Sequence, residues 1–213
     1  MTWHEFETLI AAHSWALELN LAQLSVISAK VTGSAMDVEL ILEGHDQDDQ
    51  SICKKWLVHV DTVYEHHLQL LPLDDVPRVV DDHPRIRTFQ SEWTRLYFAA
   101  SPQRPQWLVS ELFSSHDDKE FGPFQMYGPY GDPGFGSGVL AEGPASLMEA
   151  YAKILDGHGM RPTTLPTVNP LWRRHNGRAT RPEQLQLLNL SGDLTWAVDN
   201  FVLGRQFSIR LVT

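Results

Sequence analysis

The sequence has a single cysteine, and what else it lacks excludes several classes of protein. With only Cys53 among 213 residues, no disulfide can form within the chain, and no catalytic-cysteine signature surrounds that thiol. No apolar run approaches the ~18 residues of a transmembrane helix. Residues 1–13 lack the basic region that opens a signal peptide. We therefore expect a cytosolic protein without a membrane partner.

Positive charge is also scarce, which argues against nucleic acid as a partner. The chain has 17 Lys and Arg against 27 Asp and Glu, for a formal net charge of −10. The only local basic patch, 172–181, is interpreted as a solvated loop or a contact with an acidic patch of the same chain. No P-loop, HExxH or GxSxG signature is present, so no specific catalytic motif points to an enzyme.

Hydrophobic periodicity predicts an α+β fold, with mostly antiparallel sheets packed against about three amphipathic helices and a C-terminal β-meander. Thr2 and Glu5 have the spacing of a capping box at the start of the first helix. A candidate strand at 52–71 exceeds the usual length, so a bend, a bulge or two consecutive strands are expected. Residues 72–91, rich in Pro and Asp, are expected to form a connection that could contain one helical turn, and residues 160–182 carry few signals of ordered structure. We expect one domain over 1–213, with a soft boundary near residue 100.

The predicted elements have these bounds. Helices are expected at 2–13, 101–116 and from 144 to about 157. Strands are expected at 15–21, 26–31, 38–43, 52–71 and 94–99, followed by three at the C-terminal end separated by turns at 191–192 and 204–205.

A long irregular segment at 121–143 carries half of the chain's 14 glycines. Segments of this length are usually functional or disordered. Aromatic side chains on adaptable backbone are good interface anchors, and they predict a partner-binding surface. The alternative is that the segment folds back over a sheet and its aromatics fill the edge of the core. The predicted partner-binding residues are Phe121, Phe124, Tyr127, Tyr130 and Phe135.

The same segment holds a weaker candidate for anion binding. Gly136, Ser137 and Gly138 could expose consecutive backbone N–H groups, and a helix is predicted to start at Pro144. The fit is poor, because Gly138 lies six residues before Pro144 and the proline removes one N–H.

A histidine and carboxylate stripe follows the long strand candidate. His59, Asp61, Glu65 and His67 occupy odd positions, which share one face of a strand, and a bend could add His83. Imidazole and carboxylate both bind divalent cations, so these residues are the candidate metal site. The alternative is the ordinary polar face of a half-exposed strand.

These observations favour a non-catalytic cytosolic module, adaptor- or immunity-like, that binds another protein and needs no cofactor. The rival is a divalent-metal-dependent hydrolase that uses the stripe. A third hypothesis is a small-molecule or anion-binding module at 136–138. Isolated phrases, His83–Pro84 and Leu96–Tyr97–Phe98, resemble the framework of a bacterial family, which implies no function.

Overall fold

The computed structural model describes residues 1–46, 48–73, 75–117, 121, 136–175, 178–191 and 200–212. Its contacts separate into two compact units. Residues Met1–His83 and Gln184–Thr213 form unit 1, and Pro84–Glu183 form unit 2. The predicted α+β class with antiparallel sheets is confirmed. The expectation of one domain stays a prediction. In the part of the chain described, no helix is long and apolar enough to cross a membrane.

Unit 1 is built on a six-stranded sheet. Its order is β1-β2-β3-β11-β10-β4, and the described strand pairs are antiparallel. The strands are β1 (Ala22–Thr32), β2 (Ala35–His45), β3 (Ser51–His67), β4 (Arg78–Val80), β10 (Gln186–Asn189) and β11 (Phe201–Val212). Two helices accompany them, α1 (Trp3–Ala11) and α2 (Ser14–Glu18).

Helix α1 begins as the sequence predicts. The Thr2 hydroxyl accepts the Glu5 N–H at 3.2 Å, and the Glu5 carboxylate accepts the Thr2 N–H at 2.6 Å. This capping box satisfies two backbone donors that the first turn leaves without helical partners. Phe6 is fully buried and meets Trp56 of β3 edge to face, with ring centroids 5.2 Å apart. The core of unit 1 therefore lies between α1 and the face of the sheet that carries Trp56.

The predicted strand at 15–21 is wrong, because residues Ser14–Glu18 form α2. Ala16 of this helix is fully buried, whereas Leu19 and Leu21 are 65% and 47% exposed. Their alternation therefore reflects no burial pattern. The helix ends at Glu18, and two residues later Asn20 has a φ of 56°, a left-handed conformation that asparagine adopts more readily than most residues other than glycine.

The long candidate at 52–71 is one strand with a bulge, one of the three predicted outcomes. Leu203 and Gly204 of β11 lie opposite Glu65 and Val63 of β3, which leaves Tyr64 as the extra residue. The predicted turn at Gly204–Arg205 is wrong, because both residues lie inside β11. A Cβ on Gly204 would come within 2.5 Å of Val60 Cγ1 and 2.7 Å of the Thr62 carbonyl oxygen. This glycine permits close packing of two strands rather than a turn.

Unit 2 has a three-stranded sheet and a separate hairpin. The sheet order is β6-β5-β7, formed by β6 (Gly138–Pro144), β5 (Trp93–Phe98) and β7 (Thr163–Thr167). The hairpin pairs β8 (Arg173–His175) with β9 (Arg178–Thr180). The helices are α3 (Pro84–Gln90), α4 (Pro105–Ser115) and α5 (Ala145–Gly157).

Three predictions for unit 2 need correction. Residues 138–143 belong to a strand rather than to the irregular segment, and three short strands occupy 160–182. Helix α4 starts at Pro105, with Arg104 at the N-cap, instead of at Ser101–Pro102. Proline fits this first position because its missing N–H has no helical partner there. The predicted ends near 116 and 157 agree with the structure.

The C-terminal end of α3 is held by distant side chains. Asn169 is buried, and its amide nitrogen donates to the carbonyl oxygens of Thr88 at 2.9 Å and Ser91 at 3.0 Å. The Trp172 indole N–H donates to the Phe89 carbonyl oxygen at 2.7 Å. These donors satisfy carbonyl groups that the last helical turn leaves without partners.

Candidate functional site

His59 lies between two carboxylates on the face of the unit 1 sheet opposite Trp56. It sits directly across from Asp37 in the β2–β3 register, and Asp61 follows two residues later on the same strand. Its Nδ1 is 2.6 Å from Asp37 Oδ1, and its Nε2 is 3.1 Å from Asp61 Oδ1. The side chains of His59 and Asp37 are each 42% exposed. The pair therefore joins two strands at a site that solvent reaches.

Electrostatics at this site favour the protonated ring. The hydrogen bond to Asp37 is the largest cause that raises the pKa of His59, and Asp61 adds to it, while partial burial opposes both. A protonated imidazole donates from both nitrogens, which matches a carboxylate on each side. This arrangement can carry a pH-dependent charge, and only the deprotonated ring can accept a proton as a general base.

The rest of the predicted stripe does not gather around His59. Glu65 lies six positions farther along β3, about 20 Å away at ~3.3 Å per residue. Glu65 and His67 lie opposite Leu203 and Phe201 of β11. His83 is buried after β4. Among the described residues, no group of three or more His, Cys, Asp or Glu side chains is placed to hold one metal ion.

Most of the predicted partner-binding aromatics lie outside the described residues, namely Phe124, Tyr127, Tyr130 and Phe135. Phe121 is described and packs, partly buried, against the core of unit 2. Its ring centroid is 6.1 Å from that of His116, whose Nδ1 lies 2.8 Å from the Tyr151 hydroxyl. For Phe121, the packing matches the alternative in which these aromatics fill the edge of a core.

At the candidate anion site, 136–138, one of the backbone N–H groups that could bind an anion already has an acceptor. The Gly136 N–H donates to the Ser101 hydroxyl at 2.8 Å. Gly136 has a φ of 49°, Ser137 is exposed, and Gly138 begins β6. An anion there would compete with Ser101 for the Gly136 N–H.

Sequence reasoning missed the open edge of β1. This strand ends the sheet, and its N-terminal half is covered by the segment 71–73. The Val26 N–H donates to the Leu71 carbonyl at 3.2 Å, and the Leu73 N–H donates to the Leu24 carbonyl at 2.7 Å. Beyond Val26, no described residue pairs with this side of β1. Residues 27–32, here named the open edge, therefore pair with β2 on one side and have no strand partner among the described residues on the other.

The backbone direction along the open edge follows from these bonds. The backbone N–H of Val26 points away from β2, because it donates to Leu71. Along a strand, the backbone N–H and C=O groups of successive residues point to alternate sides. Ile27 is the extra residue of a bulge, since Val26 lies opposite Leu40 and Ser28 opposite Glu39. The alternation then turns Ser28 and Lys30 toward β2. The backbone groups of Ala29 and Val31 consequently face outward.

The side chains of the open edge are apolar on the core side. Ala29 and Val31 lie opposite Val38 and Met36, both of which are buried in the core of unit 1. Nevertheless Ala29 is exposed and Val31 is 52% exposed. Further apolar side chains are exposed close to the bulge, namely Ile27 (38%), Leu70 (59%) and Leu71 (51%). Apolar surface therefore runs beside the outward backbone groups.

A second exposed feature lies on α4 of unit 2. Trp107 is 61% exposed, and the Arg104 guanidinium carbon lies 5.8 Å from its ring centroid. An open cleft of about 700 Å³ and another of about 520 Å³ share Trp107 and Glu111 as a common wall. The Glu111 carboxylate is 2.9 Å from His158 Nε2. This surface is more open than most small-molecule pockets.

Comparison with known proteins gives no relative from which a function could be transferred. The chain has no significant match to a protein-family model, a curated protein or a solved structure. Function must therefore be inferred from the surfaces described above.

Proposed function

We propose that this chain is a non-catalytic, cytosolic protein-binding module, adaptor-like in role, that binds a partner segment as an added strand at the open edge. The observation that carries this proposal is the outward backbone of Ala29 and Val31 beside exposed apolar side chains. Strand addition uses backbone hydrogen bonds for affinity and alternate side chains for specificity.

The open edge lacks most of the features that protect strand edges. Uncovered strand edges recruit other chains, and natural proteins protect them with charges, prolines, bulges or covering segments. Here the bulge at Ile27 and the segment 71–73 protect only the first half of β1. The second half carries one charge, Lys30, on an 11-residue strand. An edge left open beside apolar surface is typical of a binding site.

Selection of displayed random peptides on the immobilised protein tests the proposal. Val31→Pro removes one outward N–H and leaves the β1–β2 ladder unchanged, since proline is tolerated on that side of an edge strand. Trp107→Ala is the matched control, because it truncates an exposed side chain on unit 2. Peptides selected on the wild-type protein should lose binding to Val31→Pro and keep binding to Trp107→Ala. The reverse result would assign binding to α4 and overturn the proposal.

The aromatic segment remains a competing surface for the same function. If the selected peptides bind both variants, the double change Tyr127→Ala and Tyr130→Ala becomes the decisive one. Loss of binding in that double variant would move the site from the open edge to the segment that contains Phe124 and Phe135.

The rival proposal is a divalent-metal-dependent hydrolase that uses His59 and Asp61, which lie 3.1 Å apart, although no group of three or more His, Cys, Asp or Glu side chains among the described residues is placed to hold a metal ion. Metal that binds only the folded protein at 100 times its Kd adds about 2.7 kcal/mol of stability. A thermal-shift screen of chelator-treated protein would detect that gain. A metal-dependent rise in Tm that His59→Ala abolishes would favour this function over strand addition. The same screen with phosphate and sulfate tests anion binding at Gly136 and Ser137.

A further inference from the structure

The open edge has a chemical pattern that selects among peptide segments. Its core-facing positions, Ala29 and Val31, are apolar, its opposite face carries Ser28, Lys30 and Thr32, and Ile27 is the extra residue of the bulge. Building on the proposed function, we propose that the bound segment runs antiparallel to β1, carries apolar side chains at alternate positions, and places a carboxylate opposite Lys30.

The antiparallel direction follows from the segment already paired with this strand. Residue Pro72 lies opposite Ser25 in an antiparallel bridge, so 71–73 run against β1 along the same side. A partner strand that runs in the same direction as 71–73 would extend the line of backbone hydrogen bonds on that side of β1, beyond Leu71. In an antiparallel ladder, each residue whose backbone faces the neighbouring strand exchanges two hydrogen bonds with the residue directly opposite. Ala29 and Val31 therefore offer four hydrogen bonds to two residues of the partner.

The apolar preference follows from the side of the sheet that these two residues share. The partner residues opposite Ala29 and Val31 place their side chains on the core side of the sheet, beside Ala29 and Val31 and on the same face as the buried Val38 and Met36. Valine, isoleucine or leucine there would cover the exposed half of Val31 and the side chain of Leu71. Burial of apolar surface gives a partner of this pattern its affinity.

The expected carboxylate on the partner is inferred from the positive charge of Lys30 and from the contacts of Asp37, the residue across from it on β2. Asp37 lies across from Lys30 on β2, but its Oδ1 is bound to His59 at 2.6 Å. No ion pair joins Lys30 to an acidic group within the described ranges. Because the Lys30 backbone faces β2, a partner residue opposite it forms the closely spaced type of pair, in which side chains interact most strongly.

A second copy of this chain fits the open edge less well. Self-pairing centred on Ala29 brings Ile27 opposite Val31 of the other copy, but it places Ser28 rather than a carboxylate opposite Lys30. Each copy also carries a net charge of −10, so the copies repel each other at low salt. Self-association is accordingly an outcome that the test must detect.

Three synthetic peptides with blocked ends test the inference. The first has the sequence Val-Thr-Val-Glu-Val-Thr-Val, the second has lysine in place of glutamate, and the third carries N-methyl groups on the two valines that flank glutamate. Fluorescence polarisation with labelled peptides gives the Kd, and amide hydrogen exchange reports protection at Ala29 and Val31. The matched protein variants are Lys30→Glu and the neutral Lys30→Gln.

The glutamate peptide should bind the wild-type protein about three- to tenfold more tightly than the lysine peptide, as expected when a favourable cross-strand pair becomes a like-charge pair. Lys30→Glu should reverse the order, Lys30→Gln should abolish the difference, and N-methylation should remove binding and protection together.

The remaining outcomes separate the two proposals. Binding that N-methylation removes but charge does not affect keeps strand addition and overturns the acidic partner. Absence of binding by every peptide, with no protection at Ala29 or Val31, overturns both. Protection at Ala29 without peptide, together with concentration-dependent sedimentation, assigns the edge to a second copy and also overturns the acidic partner.

Discussion

The Nδ1 atom of His59 lies 2.6 Å from Oδ1 of Asp37, near one end of the β2–β3 pair. This contact raises the pKa of the ring above its ordinary value, mainly through the hydrogen bond itself. Protonated His59 therefore stabilises the folded state. The stabilisation is complete below the unfolded-state pKa, about 6.5, and is lost as pH rises through the higher folded-state value. Because both side chains are 42% exposed, solvent limits the contribution to under about 1 kcal/mol.

Asp37→Asn should lower the pKa of His59 toward its ordinary value and should destabilise the protein more at pH 5.5 than at pH 8.5. NMR titration of the His59 ring measures the pKa, and urea unfolding at the two pH values measures stability. His45→Asn, which changes an exposed histidine on β2, is the control. An unchanged His59 titration in Asp37→Asn would contradict the assignment.

Gly204→Ala should destabilise unit 1 by about 1–3 kcal/mol, because the new methyl group overlaps Val60 and the Thr62 carbonyl. Gly157→Ala is the matched control. A Cβ there meets no atom within 4 Å, and alanine at the end of α5 should change stability by under about 1 kcal/mol, in the stabilising direction. Urea unfolding of both variants checks the difference, and equal effects would show that Gly204 is not packed as described.

Asn169→Ala should destabilise unit 2 by about 1–3 kcal/mol, since it removes the donors that reach the Thr88 and Ser91 carbonyls. Gln103→Ala, at an exposed position of the same unit, should stay within about 0.5 kcal/mol. Faster amide hydrogen exchange confined to α3 would locate the loss. Unchanged exchange there would mean that the other donors suffice.

Thr2→Ala should cost about 1 kcal/mol, because the Glu5 N–H loses its acceptor at the start of α1. Thr2→Ser keeps a hydroxyl oxygen and should retain most of the stability. Thermal unfolding monitored by circular dichroism compares the two variants. A serine variant as unstable as the alanine variant would point to a role of the threonine methyl group instead of the cap.

Local signals in the sequence predicted the elements that carry them. The capping box at Thr2 marks α1, and the alternation through Trp56, Val58 and Val60 marks the buried face of β3. The same reasoning failed at α2, where leucines that alternate along the chain form no buried face. A five-residue helix carries too little periodicity to be distinguished from a strand.

The candidate site depends on strand order, which local patterns do not encode. Residues 26–31 were correctly predicted as a strand, but only the order β1-β2-β3 places that strand at an edge. The contact between Asp37 and His59 likewise joins residues from two strands whose register the sequence leaves open. At Gly204 the local pattern was misleading. A glycine that packs against Val60 inside a strand cannot be distinguished, from the neighbouring sequence, from a glycine in a turn.

The position of β11 in the sheet has a consequence for synthesis on the ribosome. This strand pairs with β3 along most of its length, yet the whole of unit 2 is translated between them. At about 5–20 residues per second, β3 must wait several seconds with its β11 side uncovered. A nascent chain in that interval exposes Val58 and Val60 without the strand that later covers them. Stalled or truncated chains of this protein should therefore depend on chaperones that shield extended apolar segments.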